Sequence, residues 1–326
     1  MSAHHYGDLV DELGTRFTRT SVYRRKVEQS CADDGAYLWV RSAGPARSVQ
    51  MQVPDRPVER LMRGLPVTAL RLSLPQQDGH ALVYPAPGPW SLGKLLMQQH
   101  PRQSYPRARE LLRELGVLLR HLHASPPADV ALLAADRRPD RSGVHRLAHW
   151  LAGGDATASE PLRRLAALTS DQLGQGRWRK LRDWCDAALD DRAGRVLLHG
   201  NPGTGVLVPG LGDLSSVLLI GEDVQVGPTA LDTGRVLGEL TELRGIITRK
   251  GGQEAAAQWS KLGRAFLDGY ADDLSPLAGT IATLTVLAHV RDYCEFVGWD
   301  DWWFSVALEI IAEQLDGNGK GAVDWH

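Results

Sequence analysis

Cysteine is scarce: Cys31, Cys185 and Cys294 are the only three in 326 residues. An odd number, with no C-x-x-C pair and no Cys/His cluster, argues against a disulfide scaffold or a zinc module. Reduced thiols of a cytoplasmic protein are the expectation. Long apolar runs are also missing. No stretch reaches the roughly 18 apolar residues a bilayer span requires, and Met1 to Asp8 carry no hydrophobic leader. Neither sign of charge dominates. With 37 Lys and Arg against 39 Asp and Glu, the net charge is −2 and the pI about 6.6. That balance lacks the broad basic face of a general nucleic-acid or membrane-surface binder. What the chain does have is 43% hydrophobic residues, enough for a sizeable core in two lobes. It also has ten Trp against four Phe, a composition that hints at a partner surface.

Residues 1–20 place Leu9, Val10, Leu13 and Phe17 at helical spacing, which predicts a leading helix. Strands are expected over 21–28 and 36–42 around the Asp33-Asp34-Gly35 turn, over 68–74, and over 80–84 after Asp78-Gly79. Val58 to Leu65 reads as a short helix, so 21–88 forms a β-rich lobe. Pro85, Pro87 and Pro89 then read as a hinge that interrupts regular structure. Beyond it, 89–316 is predominantly helical. Ala108, Leu111, Leu112, Leu115, Leu118, Leu119 and Leu122 mark a central buried helix. A polar connection fills 124–143, followed by helices over 144–153, 160–169 and 177–190 and a β-hairpin region at 196–226. Further helices are expected over 231–243, 253–270, 277–296 and 301–315, with a loose glycine-rich tail from 317 to 326.

The order of a β-rich lobe, a proline hinge and a helical lobe holding one hairpin predicts an α+β, bilobal fold. Three stretches carry a resemblance. Leu115-Gly116-Val117-Leu118-Leu119-Arg120-His121-Leu122-His123-Ala124 is a leucine-rich helix ending in His-Ala. His199-Gly200 follows an apolar strand, and Gly227-Pro228-Thr229-Ala230-Leu231-Asp232 follows the hairpin. In this order and spacing the chain resembles the aminoglycoside-phosphotransferase and choline-kinase branch of the protein-kinase-like fold, from about residue 21 onward. The resemblance implies ATP and Mg²⁺ as cofactors of any active relative. It also implies that Asp232 braces the catalytic loop rather than reacting.

Phosphoryl transfer asks the protein for positioning and charge neutralisation. The family loop reads H-x-D-x-x-x-x-N, and His199 fits its start. Asn201 stands at the catalytic Asp; an amide carries no charge and accepts no proton near neutral pH. Losing a general base costs roughly 10²–10⁴ in rate. The metal-binding Asn falls on Val206, or on Gly205 with a one-residue shift, and the metal-binding Asp falls on Ile220. None of these side chains offers Mg²⁺ the hard oxygen it needs. Glu222, two residues beyond Ile220, would share its side of an extended strand and is the candidate metal ligand. A solvated carboxylate at the hairpin end is the plainer reading, and Asp223 would point away unless the strand ends there. Arg41 stands where the phosphate-binding Lys belongs, with Lys26 as a substitute and Glu59 as its loosely matched partner. Gly203-Thr204-Gly205 could form an anion nest or a simple tight turn. His121 and His123 read as helix-end residues facing terminal carbonyls.

The expectation is a catalytically degenerate kinase-fold protein, a pseudokinase, that binds a peptide or partner protein. A role in bacterial ribosomal-peptide biosynthesis is implied only by analogy with relatives. Trp299, Trp302 and Trp303 are the candidate partner surface, against the simpler reading that they pack a C-terminal helix. The alternative is an atypical ATP-dependent phosphotransferase acting on a peptide Ser/Thr or a small hydroxylated metabolite.

Overall fold

The computed structural model describes residues 6–25, 36–47, 50–66, 68–98, 101–125, 143–153, 159–190, 194–211, 215–271 and 274–325. Cys31, Lys26, the Asp33-Asp34-Gly35 turn and most of the 124–143 connection lie outside them.

The first element is a strand. β1 (Asp8–Gly14) pairs antiparallel with β2 (Thr18–Arg24), which pairs with β3 (Tyr37–Ala43). The leading helix is therefore corrected to an edge strand. Its register shifts between Leu9 and Asp11, and this bulge breaks the two-residue alternation. Leu9 and Leu13 then fall at a spacing that mimics a helix, although both side chains are exposed. Helix α1 (Arg56–Arg63) buries Val58 and Met62, and β4 (Leu70–Ser73), β5 (Gln76–Asp78) and β6 (Ala81–Ala86) follow. The five-stranded sheet runs β1-β2-β3-β6-β5. Pro85 does not interrupt it: the residue lies within β6 opposite Leu38. β5 begins at Gln76 opposite Val83, so its ladder does not reach Pro85, where a residue without an N–H is tolerated.

The second lobe contains α2 (Leu92–Gln98), α3 (Pro101–His123), α4 (Gly143–Leu151) and α5 (Glu160–Asp190). α5 is two helical segments broken at the non-helical Gly174 (φ +71°, ψ 166°), as the two helices expected over 160–169 and 177–190 require. Next come β7 (Val196–Leu198), β8 (Leu207–Val208), β9 (Ser216–Leu219) and β10 (Gln225–Gly227). The chain closes with α6 (Ala230–Arg249), α7 (Gln253–Tyr270), α8 (Ala278–Phe296) and α9 (Asp301–Asp316). No helix among the described residues is long and apolar enough to cross a membrane.

The leucine stripe of α3 is buried from Leu111 to Leu122 and packs on α7. Contact is close because both helices present glycine at the crossing. A Cβ on Gly269 would land on the Arg113 carbonyl, and one on Gly116 would lie 2.5 Å from the Tyr270 nitrogen. A second core joins α4, α5, α8 and α9. The tail is not loose through Trp325. Residues Lys320–Ala322 form a 3-10 turn, and the buried Trp325 ring covers Gly263 while its Nε1 donates to Ala322 O at 2.9 Å.

The lobes are joined by strand pairing as well as by chain connection. β4 runs parallel to β9, Leu70 opposite Ser216 through Ser73 opposite Leu219, in a β4-β9-β8 sheet. A further latch comes from the β1–β2 turn. Arg16 N–H donates to Phe296 O at 2.8 Å, and the Phe17 and Phe296 rings lie 4.8 Å apart. The Arg47 and Arg146 guanidiniums cover the Phe17 ring at 4.9 and 5.6 Å.

Candidate functional site

The loop after β7 is held from three sides. Asp232, fully buried in the first turn of α6, accepts from His199 N–H at 2.7 Å and from Gly200 N–H at 2.9 Å. His123 Nε2 lies 3.2 Å from the same carboxylate, and its Nδ1 is 3.0 Å from the Tyr270 hydroxyl. His123 is thus a bridge from α3 to the loop, not a cap on helix carbonyls. Gly200 sits at φ +85°, and a Cβ there would land on the Asp223 carbonyl, so this turn admits glycine only.

His199 is buried, with Nε2 3.2 Å from Leu219 O and Nδ1 3.3 Å from Asn201 N–H. A carbonyl accepts and an amide donates, which fixes the proton on Nε2. Burial lowers the pKa of this ring more than the nearby Asp232 and Asp223 charges raise it. His199 is therefore a neutral strut between the loop and β9.

Asn201 is committed too. Its Oδ1 accepts from Arg235 Nε at 2.9 Å, and its Nδ2 lies 3.5 Å from Asp223 Oδ2. Glu222 does not face the loop. It forms a nearly buried ion pair with Arg47 of the first lobe. β9 ends at Leu219, so 221–223 turns, exchanges the two sides, and brings Asp223 toward Asn201. Ile220 is fully buried in the main core, and Val206 packs its side chain on the hydrophobic clusters of both lobes. The Gly203–Thr204 turn does bind an anion, but an internal one. Glu239 accepts from Thr204 N–H at 3.0 Å and from its Oγ1 at 2.5 Å.

The proposed nucleotide pair is not formed. Glu59 is half-exposed on α1 and pairs with Arg63 at 2.8 Å. Arg41 instead lies beside the Tyr84 hydroxyl and Asp223, its Nη1 within 3.8 Å of where a Gly221 Cβ would stand. Burial pushes the Tyr84 phenol up to about 12 despite the Arg41 charge. Between the lobes, Trp39, Met51, Tyr84 and Ala86 pack on Val208 and Leu219, and Trp39 Nε1 donates to Gly88 O at 2.9 Å.

The three tryptophans divide. Trp299 packs partly buried against the second core under the Arg164 guanidinium at 3.8 Å, and its Nε1 donates to Asp301 at 2.6 Å. Trp303 lies among Tyr293, Phe304 and His289, and its Nε1 donates to Glu242 at 3.1 Å. Trp302 is exposed, 4.8 Å from Lys250.

Sequence reading missed Arg235 and Glu239 as groups that face the loop, and it made the direction of Asp223 depend on where the strand ends. The available signal was the charged series 235, 239 and 242 at i, i+4 and i+7 on an otherwise buried helix. The Mg²⁺–ATP chemistry of this kind of loop does not fit the residues present. Ile220 and Val206 offer no ligand atom, Asn201 is engaged by Arg235, and Glu222 by Arg47. Asp223 is the one carboxylate of its turn that faces the loop, and no group of three metal-ligating side chains occurs among the described residues.

No protein-family model matches the chain, and no curated protein matches it. Solved structures do. A spectinomycin phosphotransferase in complex with ADP and spectinomycin aligns with a TM-score of 0.52 at 12% identity, over 94% of this chain and 93% of that one. A glucosamine kinase in complex with glucosamine, ADP and inorganic phosphate aligns with a TM-score of 0.52 at 16% identity, over 97% and 96%. The chain therefore has the bilobal, α+β protein-kinase-like fold that these small-molecule phosphotransferases share.

Proposed function

We propose that this protein is a pseudokinase: a kinase-fold protein that acts by binding a peptide or protein partner, not by transferring phosphate from Mg²⁺–ATP between its lobes. The observation that carries this reading is Ile220, buried in the core at the position where the chemistry requires a metal-binding carboxylate. Two further observations support it. Asn201 replaces the catalytic acid and is held by Arg235. Trp39 and its neighbours fill the space beneath β3, where phosphoryl-transfer enzymes of this fold place the nucleotide. Trp302 is the candidate partner contact.

A thermal-shift titration with ATP, with and without MgCl₂, tests the reading. Ligand at 100 times its Kd adds about 2.7 kcal/mol. At about 2.1 cal/mol/K per residue, a 326-residue chain has an unfolding entropy near 0.7 kcal/mol/K, so such binding raises Tm by about 4 °C. The expected result is no Mg²⁺-dependent shift at millimolar ATP, and a shift of that size refutes the reading.

Two observations favour an active enzyme instead. Asp223 places a carboxylate beside Asn201, and the similar structures named above are phosphotransferases holding ADP. On that reading Asp223 is the acid of the site. ADP release with glucosamine or spectinomycin, abolished by Asp223→Asn, would establish it.

A further inference from the structure

A cavity of about 440 Å³ lies between α6 and α9, on the helical lobe and lined by no residue of the Asn201 loop. Its walls include Thr241, Arg244, Thr248 and Arg249 from α6 and Glu313 and Gln314 from α9, and the remaining lining residues are uncharged. Arg249 donates to Glu309 at 2.9 Å and to Glu313 at 2.6 Å, so the charges of this cluster balance in number, and Arg244 is the arginine of the lining left without an ion pair.

Arg244 is fixed in place without a carboxylate of the described residues within ion-pair distance. Its Nη2 donates to Gly321 O at 3.0 Å, and its guanidinium stacks 4.1 Å from the centre of the Trp325 ring. Partial burial lowers its pKa, offset only in part by the more distant Asp324, as expected for a cation short of counter-charge. The same end of the cavity holds a second unmet demand. Gln314 is buried beside Gly321, whose Cβ position would be 3.1 Å from Gln314 Oε1, and that oxygen finds no hydrogen-bond partner among the described residues. The Thr241 hydroxyl, also buried in the cavity wall, finds none either. Buried polar atoms left unpaired cost about 1–3 kcal/mol each, so a ligand that pairs them gains on binding.

We propose that this groove binds a small ligand bearing an oxyanion, carboxylate or phosphate, with a hydrogen-bond donor beside it. The oxyanion meets Arg244, and the donor meets the Gln314 amide. The volume suits a molecule of metabolite size. The proposal is independent of whether the inter-lobe cleft is active.

Calorimetric titration of the full chain with sodium phosphate, sodium acetate and glycine at fixed ionic strength tests it. Saturable binding of at least one probe is expected. Phosphate alone identifies a phosphate site, and acetate or glycine identifies a carboxylate site. Arg244→Gln should weaken that binding roughly tenfold or more, the loss of one charge-assisted hydrogen bond. Arg244 also holds the C-terminal turn, so Thr248→Phe provides a second variant that fills the groove and leaves the Trp325 stacking in place. It should abolish binding while the protein stays folded. No saturable binding of any probe to the parent, or parent affinity in either folded variant, overturns the proposal.

Discussion

Replacing Asp232 by alanine should cost more than any other single change in the loop region, and the cost can be worked from the contacts. The carboxylate has no solvent exposure and accepts from two backbone N–H groups, at 2.7 and 2.9 Å, with His123 Nε2 at 3.2 Å. Removing it leaves three donors buried and unpaired. Each such group costs about 1–3 kcal/mol, and breaking a buried charged network costs roughly 3–5 kcal/mol in total, because neighbouring losses are not additive. With an unfolding entropy near 0.7 kcal/mol/K for 326 residues, Tm falls by about 4–7 °C. The loop cannot relax toward other partners. Gly200 is pinned at φ +85° against the Asp223 carbonyl, and His199 is tied to Leu219 O. Calorimetry gives the Tm, and hydrogen exchange gives the site: the His199 and Gly200 amides should lose protection while the α3–α7 amides keep theirs. Asp232→Asn keeps one acceptor but turns an NH₂ toward a donor, so it should recover little. A variant melting within about 2 °C of the parent, with both amides still protected, refutes the idea that this carboxylate holds the loop.

Two further outcomes follow from titrating groups. His289, half-exposed on α8, has its pKa raised: burial would lower it, but the charge and 2.8 Å contact of Glu242 outweigh that. A group with a raised folded pKa stabilises below its unfolded pKa of about 6.5, and this is lost as pH rises through the folded value. The Tm gap between the parent and His289→Gln should therefore be widest near pH 5.5 and narrow toward about pH 8.5; a gap that widens with pH contradicts the ion pair. Burial pushes the Cys185 thiol up to about 12 and the Cys294 thiol up to about 11. Both should resist iodoacetamide in the native protein and react on unfolding, as mapped by peptide mass spectrometry, and native labelling of either would contradict the packing of α5 against α8.

Legibility in the sequence followed the range of the interactions involved. α3 and α7 were readable because their own periodicity and their partner's glycines, Gly116 and Gly269, carry the packing. β1 was not, because its conformation is set by pairing with β2 and by a bulge that disguises its alternation. The tail was not, because Trp325 is ordered by Gly263 and Arg264 some 60 residues earlier. The site divided in the same way. Asn201, Val206 and Ile220 are assigned to their loop positions by counting along the chain against the family pattern. Which carboxylate faces the loop could not. That depended on β9 ending at Leu219, one turn before Glu222 and Asp223. Arg235 and Glu239 belong to a helix face that reads as solvated in isolation and becomes the loop's anchor only after folding.

These anchors bear on what the inter-lobe region can accept. On the proposed reading, the polar groups around the inter-lobe region are already engaged within the chain. The Thr204 N–H and hydroxyl hold Glu239, Asn201 holds Arg235, Glu222 holds Arg47, and the Gly88 carbonyl holds the Trp39 indole. A net hydrogen bond contributes about 0.5–1.5 kcal/mol, and one to a charged group about 1.5–3. Exchanging all four for ligand contacts would cost on the order of 5–10 kcal/mol, before repacking Trp39. Micromolar affinity is worth about 8.2 kcal/mol, so that cost would consume most of the binding energy of an ordinary nucleotide site. Restoring acidic side chains alone, as Asn201→Asp with Ile220→Asp, therefore leaves the space between the lobes filled. It also puts a charge into a core that now buries Ile220 completely. On the proposed reading the kinase fold's cleft is packed interior in this chain, and its chemistry is limited more by what occupies the cleft than by which side chains line the loop.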